Sequence, residues 1–227
     1  MTQGGALAEV SGLLKEAKVS TLRARQKEDR RNRIVSSAKT LFKKKGYDKT
    51  TIENIAVSAG VSGVTVHNYY GTKAGVLLAL VVESDRKLIQ RLDEVLPDDG
   101  DDIVDLVTAF ARHIMDHALT NLEKDIWRQV IAAVITEGGN PVSKAYSGLD
   151  EQLALVLVRR LEAMQAAGTL SARANPLHLG RALFQLQNAR FIEFISTDAI
   201  TQDEIAQRLE NDLAALFSVN ADPASRG

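Results

Sequence analysis

Ser62, Gly63, Val64, Thr65, His67, Asn68, Tyr69 and Lys73 bring the chemistry of nucleic-acid recognition into one short stretch. An asparagine amide pairs with adenine through two hydrogen bonds, and an imidazole donates to a guanine acceptor or to a phosphate. Valine and the threonine methyl suit the thymine methyl, and a glycine lets the backbone come close. Another group, His113, Asp116 and His117, has spacing that could serve a metal, since histidines four apart share a helix face. Two such ligands do not make a zinc site, and neither a cysteine nor an HExxH pattern completes one. A half-buried or solvated histidine pair is the plainer reading, and no metal site is expected.

Other chemistry is largely excluded. The chain has no cysteine, hence neither a disulfide framework nor a thiol nucleophile. It has no phosphate-binding glycine loop, dinucleotide fingerprint or nucleophile elbow. Gly60 and Gly63 lie close together but lack the Lys-Ser/Thr of a P-loop. No enzyme and no cofactor are expected; a helical hydrolase with dispersed carboxylates is the lesser alternative.

The elements that must position the first group are short helices. Thr50 and Glu53 have capping-box spacing, which starts a helix at this threonine. Ile52, Ile55, Ala56 and Ala59 follow on one face. Gly60 tolerates the left-handed backbone that ends a helix. Val61 plugs the turn, and Ser62 is a natural N-cap for the next helix. Val66 and Tyr70 can face a core, leaving the recognition side chains wholly or partly outside. Gly71 closes this helix, and Thr72 caps another. Lys73 in its first turn opposes the helix dipole, which a nearby phosphate would explain. Upstream, Arg30 to Lys45 forms a first helix with Ile34, Val35, Ala38, Leu41 and Phe42 as its buried stripe and Gly46 as its stop. Three such helices make one small core whose third member can read a major groove. An ordinary three-helix piece of an all-α protein has the same turns and caps.

Charge favours the first of these readings. Lys15 to Lys73 holds 14 Lys/Arg against 5 Asp/Glu, a net of +9, while Ala74 to Gly227 holds 14 against 23, a net of −9. A basic head supplies the salt-dependent attraction to phosphates, and an acidic body keeps off the duplex.

The segment resembles the TetR family of bacterial transcriptional regulators. The resemblance is carried by Arg33, Leu41-Phe42, Gly46-Tyr47, Thr50-Thr51, Ile55-Ala56, Ala59-Gly60-Val61-Ser62, Thr65-Val66, Tyr69-Tyr70 and Lys73 at the family's spacing, from Arg30 to near Leu80. Val64 and His67 depart from it, where the family often has glycine and usually tyrosine. Both departures fall on the expected reading surface and bear on base preference rather than fold. The resemblance implies that Thr51, Tyr69 and Lys73 touch phosphates. It sets Gly63, Val64, Thr65, His67 and Asn68 against base edges or the adjacent backbone, with Ser62 at the start of the reading helix. It also implies a dimeric, cytoplasmic repressor of a palindromic operator on double-stranded DNA, released by a small-molecule effector. Alternatives are an architectural DNA-binding protein or one controlled by a protein partner.

The fold class expected is all-α. An N-terminal three-helix, helix-turn-helix DNA-binding domain at residues 30–75 is followed by a helical ligand-binding and dimerisation domain at 76–227. Residues 1–29 form a basic extension: a disordered arm, a helix, or a stretch foreign to the native chain. Arg23, Arg25 or Arg30 could reach into a minor groove from such an arm. No apolar run suits a signal peptide or a membrane span. Body helices are predicted at Thr72 to Leu96, Ile103 to Thr120, Glu123 to Glu137, Pro141 to Ala167, Pro176 to Ser196 and Thr201 to Val219. Pro97 to Asp102 is a loop, and Gly138, Gly139 and Gly168 are stops. The first of these helices should link head to body, so that its tilt moves the reading head.

The last two helices are apolar on more than one face, and a twofold four-helix bundle would bury the excess. Leu179, Leu183, Leu186, Leu209, Leu213, Leu216 and Phe217 are the interface candidates; plain core is the other reading. A pocket in the body could be lined by Phe110, His113, Ile114, Trp127, Val130, Ile131, Tyr146, Met164, Phe184, Gln187, Asn188 and Phe191. Its aromatics would give apolar contact, and His113, Trp127, Gln187 and Asn188 orienting hydrogen bonds.

Overall fold

The computed structural model describes residues 3–96, 102–136, 139 and 141–218, with side chains from residue 22 onward apart from those of 121, 141 and 142. The described residues form nine helices and no strand. The chain divides into two compact units, Met1–Leu80 and Val81–Gly227.

In the first unit, α1 spans Gln3–Lys45, α2 Ile52–Ala59 and α3 Gly63–Tyr70, and α4, Lys73–Val95, begins there. Ile34, Ala38, Phe42, Ile55, Ala56 and Val66 make the core, each no more than 3% exposed. Helix α1 begins far upstream of the expected Arg30. Leu22, Arg23, Ala24, Arg25, Gln26, Lys27 and Glu28, good helix formers just before that residue, carry the helix through it. This corrects the arm reading. Arg23, Arg25 and Arg30 stand on a regular helix, and a helix about 10 Å across does not enter a minor groove about 6 Å wide.

The start of α2 is also corrected. Thr51, not Thr50, is its N-cap. The Thr51 hydroxyl accepts from the Asn54 amide at 3.2 Å, and the Asn54 side-chain oxygen accepts from the Thr51 amide at 3.4 Å. Thr50 is wholly buried and donates its hydroxyl to the Gly46 carbonyl at 2.8 Å. Gly60 ends α2 with φ +65°, a left-handed conformation that costs glycine little.

In the second unit, α5 spans Ile103–Asn121, α6 Lys124–Thr136, α7 Pro141–Ala167, α8 Pro176–Ser196 and α9 Gln202–Ser218. Helix α8 packs against α5, α6, α7 and α9, with α5 also on α9 and α6 on α7. Gly180 sets the α7–α8 approach: a Cβ there would lie 2.7 Å from Val158 Cγ2 and 2.9 Å from its backbone nitrogen. The second capping box is present, with the Thr201 amide donating to the Glu204 carboxylate at 2.8 Å. Between α8 and α9, Arg190 pairs with Asp212 at 2.5 Å and Glu193 pairs with Arg208. The expected loop at residues 97–101 and the stop at Gly138 lie outside the described residues. No described helix is long and apolar enough to cross a membrane.

Candidate functional site

Helix α3 divides its faces cleanly. Val66 and Tyr70 are buried in the head's core, while Val64 is 70% exposed, with His67 and Asn68 exposed beside it. Positions i, i+3 and i+4 of a short helix share one side. The outward face therefore presents a branched apolar group, an imidazole and an amide together. Gly63, Thr65 and Tyr69 are half-buried flanks. A Cβ on Gly63 would meet nothing within 4 Å, so no contact inside the chain demands glycine there.

The hydroxyls at the helix starts are committed locally. Ser62 Oγ accepts from the Thr65 amide at 3.1 Å and lies 2.8 Å from Thr65 Oγ1. Backbone hydrogen bonding at the helix start, then the Thr51 hydroxyl, holds the Glu53 carboxyl below its usual range. Arg33 ties α1 to α2: its Nη1 donates to the Ala59 carbonyl at 2.9 Å, and its Nε to Asp29 at 3.1 Å. A carbonyl left without an intrahelical donor at a helix C-terminus is a natural partner for a cation.

Lys73 differs from its expected circumstance. Its Nζ donates to the Tyr47 carbonyl at 2.9 Å and sits 4.0 Å from the centre of the Tyr47 ring. The chain itself supplies the negative partner that the dipole argument assigned to a phosphate.

The second unit holds a cavity of about 30 Å³, lined from α4 to α8. It brings together seven expected residues: Ile114, Trp127, Tyr146, Phe184, Gln187, Asn188 and Phe191. Phe110, His113, Val130, Ile131 and Met164 are not among its lining, which corrects that part of the list. Phe110, Val130 and Met164 are plain core; Phe110 lies edge-on behind Phe184. Trp127 gives a ring but no orienting donor, because its Nε1 already donates to the Ala118 carbonyl at 3.1 Å.

Sequence reasoning missed the acids. Asp85 and Asp150 both line the cavity. The signal was available: Asp85 falls on the stripe Val81, Leu88, Leu92, and Asp150 falls between Tyr146 and Leu153. A carboxylate inside an apolar stripe is an anomaly worth marking. His117 Nε2 lies 3.5 Å from Asp85 Oδ1 and 2.9 Å from Ser84 Oγ. Burial raises the Asp85 carboxyl against the pull of His117. Burial, helped by the charge of Asp85, pushes Asp150 up to about 7. Burial, then Asp150 and Asp85, raises the Tyr146 phenol. Gln187 is 3% exposed, and its Oε1 has no hydrogen-bond partner. Among the described residues no cluster of three or more His, Cys, Asp or Glu could hold a metal.

The interface candidates divide as well. Leu183, Leu209 and Leu213 are 3%, 1% and 0% exposed, buried in the chain's own core and so not available as interface, which corrects their assignment. Leu179, Leu186 and Phe217 are half-buried, and Leu216 is 55% exposed.

Comparison with known proteins agrees with this architecture. Residues 34–80 match the model of the tetR family of bacterial regulatory proteins. The HTH-type transcriptional regulator YdeS of Bacillus subtilis is 31% identical over 101 residues, 44% of this chain and 47% of that protein. The match thus spans about half the length of that relative. Thermus thermophilus FadR, a TetR-family repressor solved with lauroyl-CoA, is similar over 87% of this chain and 100% of its own. Its identity is 25% and its TM-score 0.64. A TetR-family regulator from Pectobacterium atrosepticum matches 86% of this chain and 93% of its own, at 19% identity and TM-score 0.62. Residues 34–80 thus carry the helix-turn-helix of the TetR family of bacterial regulatory proteins, in a chain whose helical fold is similar to that of TetR-family regulators.

Proposed function

We propose that the protein is a homodimeric, cytoplasmic repressor that binds a palindromic operator through α3 and is released by a small molecule held in the α4–α8 cavity. Residues 30–75 form its DNA-binding part, and 76–227 its ligand-binding and dimerisation part. The observation that carries this is the outward trio Val64, His67 and Asn68 on a helix whose opposite side is anchored by Val66 and Tyr70. In this reading the trio meets base edges, and open space at Gly63 admits the DNA backbone. Thr51, Ser62, Thr65 and Tyr69 lie along the phosphates. Lys73 keeps one proton on Tyr47 and offers its others to a phosphate. Effector binding acts by favouring one placement of the two heads over another. Helix α4 carries both Lys73 and Asp85, which gives a covalent route between the two sites.

A second reading has one observation in its favour. A cavity of about 30 Å³ holds roughly one water, so a regulator without a small ligand, answering to a protein partner, fits a core this full. Buried carboxyls and an orphaned amide oxygen favour the effector reading.

Selection of bound duplexes from a random DNA pool, followed by salt titration, tests the proposal. A palindromic consensus and affinity falling steeply with salt are expected. No affinity at low salt would refute both readings and reopen that of a helical enzyme.

A further inference from the structure

We infer that the cavity accepts an organic cation: the ammonium head of an amine with an aromatic or aliphatic body. This rests on the effector reading above and names the class of effector.

The cavity holds two carboxyls, Asp85 and Asp150, and no lysine or arginine to answer them; its neutral donors are the Tyr146 hydroxyl and the amides of Gln187 and Asn188. Gln187 also brings a buried acceptor, Oε1, that no donor reaches. His117 is turned to Ser84 and Asp85. A buried acceptor left unpaired costs about 1–3 kcal/mol in general, so a guest that donates to Gln187 Oε1 is favoured over one that only accepts. An ammonium has three donors and no acceptor. One donor satisfies Gln187, and the others serve the carboxyls.

Size and surroundings agree. A space of about 30 Å³ matches a water-sized head group, not a bulky anion. Trp127, Tyr146, Phe184 and Phe191 also line it, and aromatic faces attract cations. An anionic guest would meet two acids and find one imidazole already engaged.

Protonation fits the same exchange. With Asp150 raised to about 7, the ligand-free cavity keeps a proton that an ammonium can replace. The titratable groups facing it are Asp85 from α4, His117 from α5, and Tyr146 and Asp150 from α7; α6 and α8 contribute none. Cation affinity therefore rises with pH through about 7 as Asp150 ionises, and amine binding releases protons there.

The test is calorimetric titration of the full chain with phenethylamine and hexylamine, each beside the alcohol and the carboxylate of matched skeleton. The amines should bind at least about tenfold more tightly than the alcohols, and the carboxylates least of all. Asp150→Asn should remove most of the amine's advantage over the matched alcohol. Gln187→Leu, which retains the carboxyls, should weaken the amine by a smaller factor. Proton release should appear as a dependence of the heat on buffer ionisation. Alcohols or carboxylates binding as well as amines, no amine binding at millimolar concentration, or an unaltered amine affinity in Asp150→Asn would each overturn the proposal. Failure of the parent reading looks different. If an alcohol or a carboxylate releases the selected DNA, the repressor stands and only the cation class falls. If the ligand-free protein selects no palindrome, the repressor reading falls whatever the amines do.

Discussion

Lys73 stands in the first turn of α4, and its ammonium is held at 2.9 Å by the main-chain oxygen of Tyr47, above that residue's ring. Tyr47 in turn packs on Phe42, with ring centroids 5.4 Å apart, and its carbonyl also accepts from the Thr50 amide at 3.1 Å. The lysine therefore fastens the turn that precedes α2. Lys73→Met should lower stability by about 1–2 kcal/mol, from one charge-assisted hydrogen bond and a partly exposed cation–π contact. For a chain of this size that is a fall in melting temperature of roughly 2–8 °C. In the proposed complex, affinity should drop on every duplex alike, with the salt slope shallower by about one. Retained affinity with altered base preference would mean that Lys73 has been given the wrong role.

His67 and Asn68 point outward next to Val64 and take no part in the head's core. Substituting His67 by Tyr, or Asn68 by Ala, should leave the melting temperature within about a degree or two, since exposed positions seldom carry stability. The selected DNA consensus should change at one or two positions per half-site, by about 1–3 kcal/mol of discrimination for each lost pairing. An unchanged consensus in both variants would show that neither side chain reads a base.

The two threonines before α2 offer a test of register. Thr51 caps with Asn54, and Thr50 is buried with its hydroxyl on Gly46. Thr51→Ala should cost about 1 kcal/mol, the usual loss of an N-cap. Glu53→Gln should cost only a few tenths, because Glu53 is exposed and not the box partner. Chemical denaturation of the two variants separates the registers; a larger loss in Glu53→Gln would restore the box at Thr50.

Local signals explain why most of the fold was legible. Helices α7 and α8 run from Pro141 to Ala167 and from Pro176 to Ser196 as expected, because a proline opens each, and Gly168 follows the first with φ +84°. The start of α1 was illegible because the helix-forming charged residues just upstream of Ile34 carry no apolar period. The box at Thr50 failed because two adjacent threonines each have a capping partner three residues on, and only the burial of Thr50 decides between them. The outward face of α3 could be read from its own spacing. The cavity could not be read whole, since Asp85, His117 and Asp150 come from three helices that only tertiary packing brings together. The same limit misplaced Leu183, Leu209 and Leu213: a helix apolar on several sides shows how much must be buried, not which side a partner covers.

Asp150 should govern stability as a function of pH. Its carboxyl has a reference value of 3.8 and is held at about 7 in the folded chain. Between these values the folded state keeps a proton that the unfolded state has released, so stability falls as pH rises. The favourable contribution is complete below the unfolded value and gone above about 7. Asp150→Asn should make the fall in melting temperature across that window less steep and raise the melting temperature at about pH 8. A residual slope of the same sign should remain, since Asp85 is raised as well. A variant whose pH profile superimposes on that of the parent would show that Asp150 is ionised in the folded chain throughout.

Association of two copies can be separated from folding by comparing two leucines of α9. Leu216 is 55% exposed, and on α8 Ile192 is 40% and Leu177 38% exposed, whereas Leu209 is buried at 1%. If α8 and α9 pair with their counterparts in a second copy, the exposed positions carry the contact, while Leu209 serves the fold. Leu216→Glu should then weaken dimerisation by at least about tenfold, since a carboxylate left unpaired in an apolar contact costs several kcal/mol. Its helical content should be unchanged, and binding to a palindrome should fall toward the affinity for a single half-site. Leu209→Ala should instead cost about 2–5 kcal/mol of stability through the cavity it opens. Sedimentation velocity across a concentration series, with circular dichroism on the same samples, distinguishes the two. A Leu216→Glu variant that sediments as the parent does would move the interface away from this end of α9, and a parent that sediments as a monomer throughout would leave the palindrome without its twofold reader.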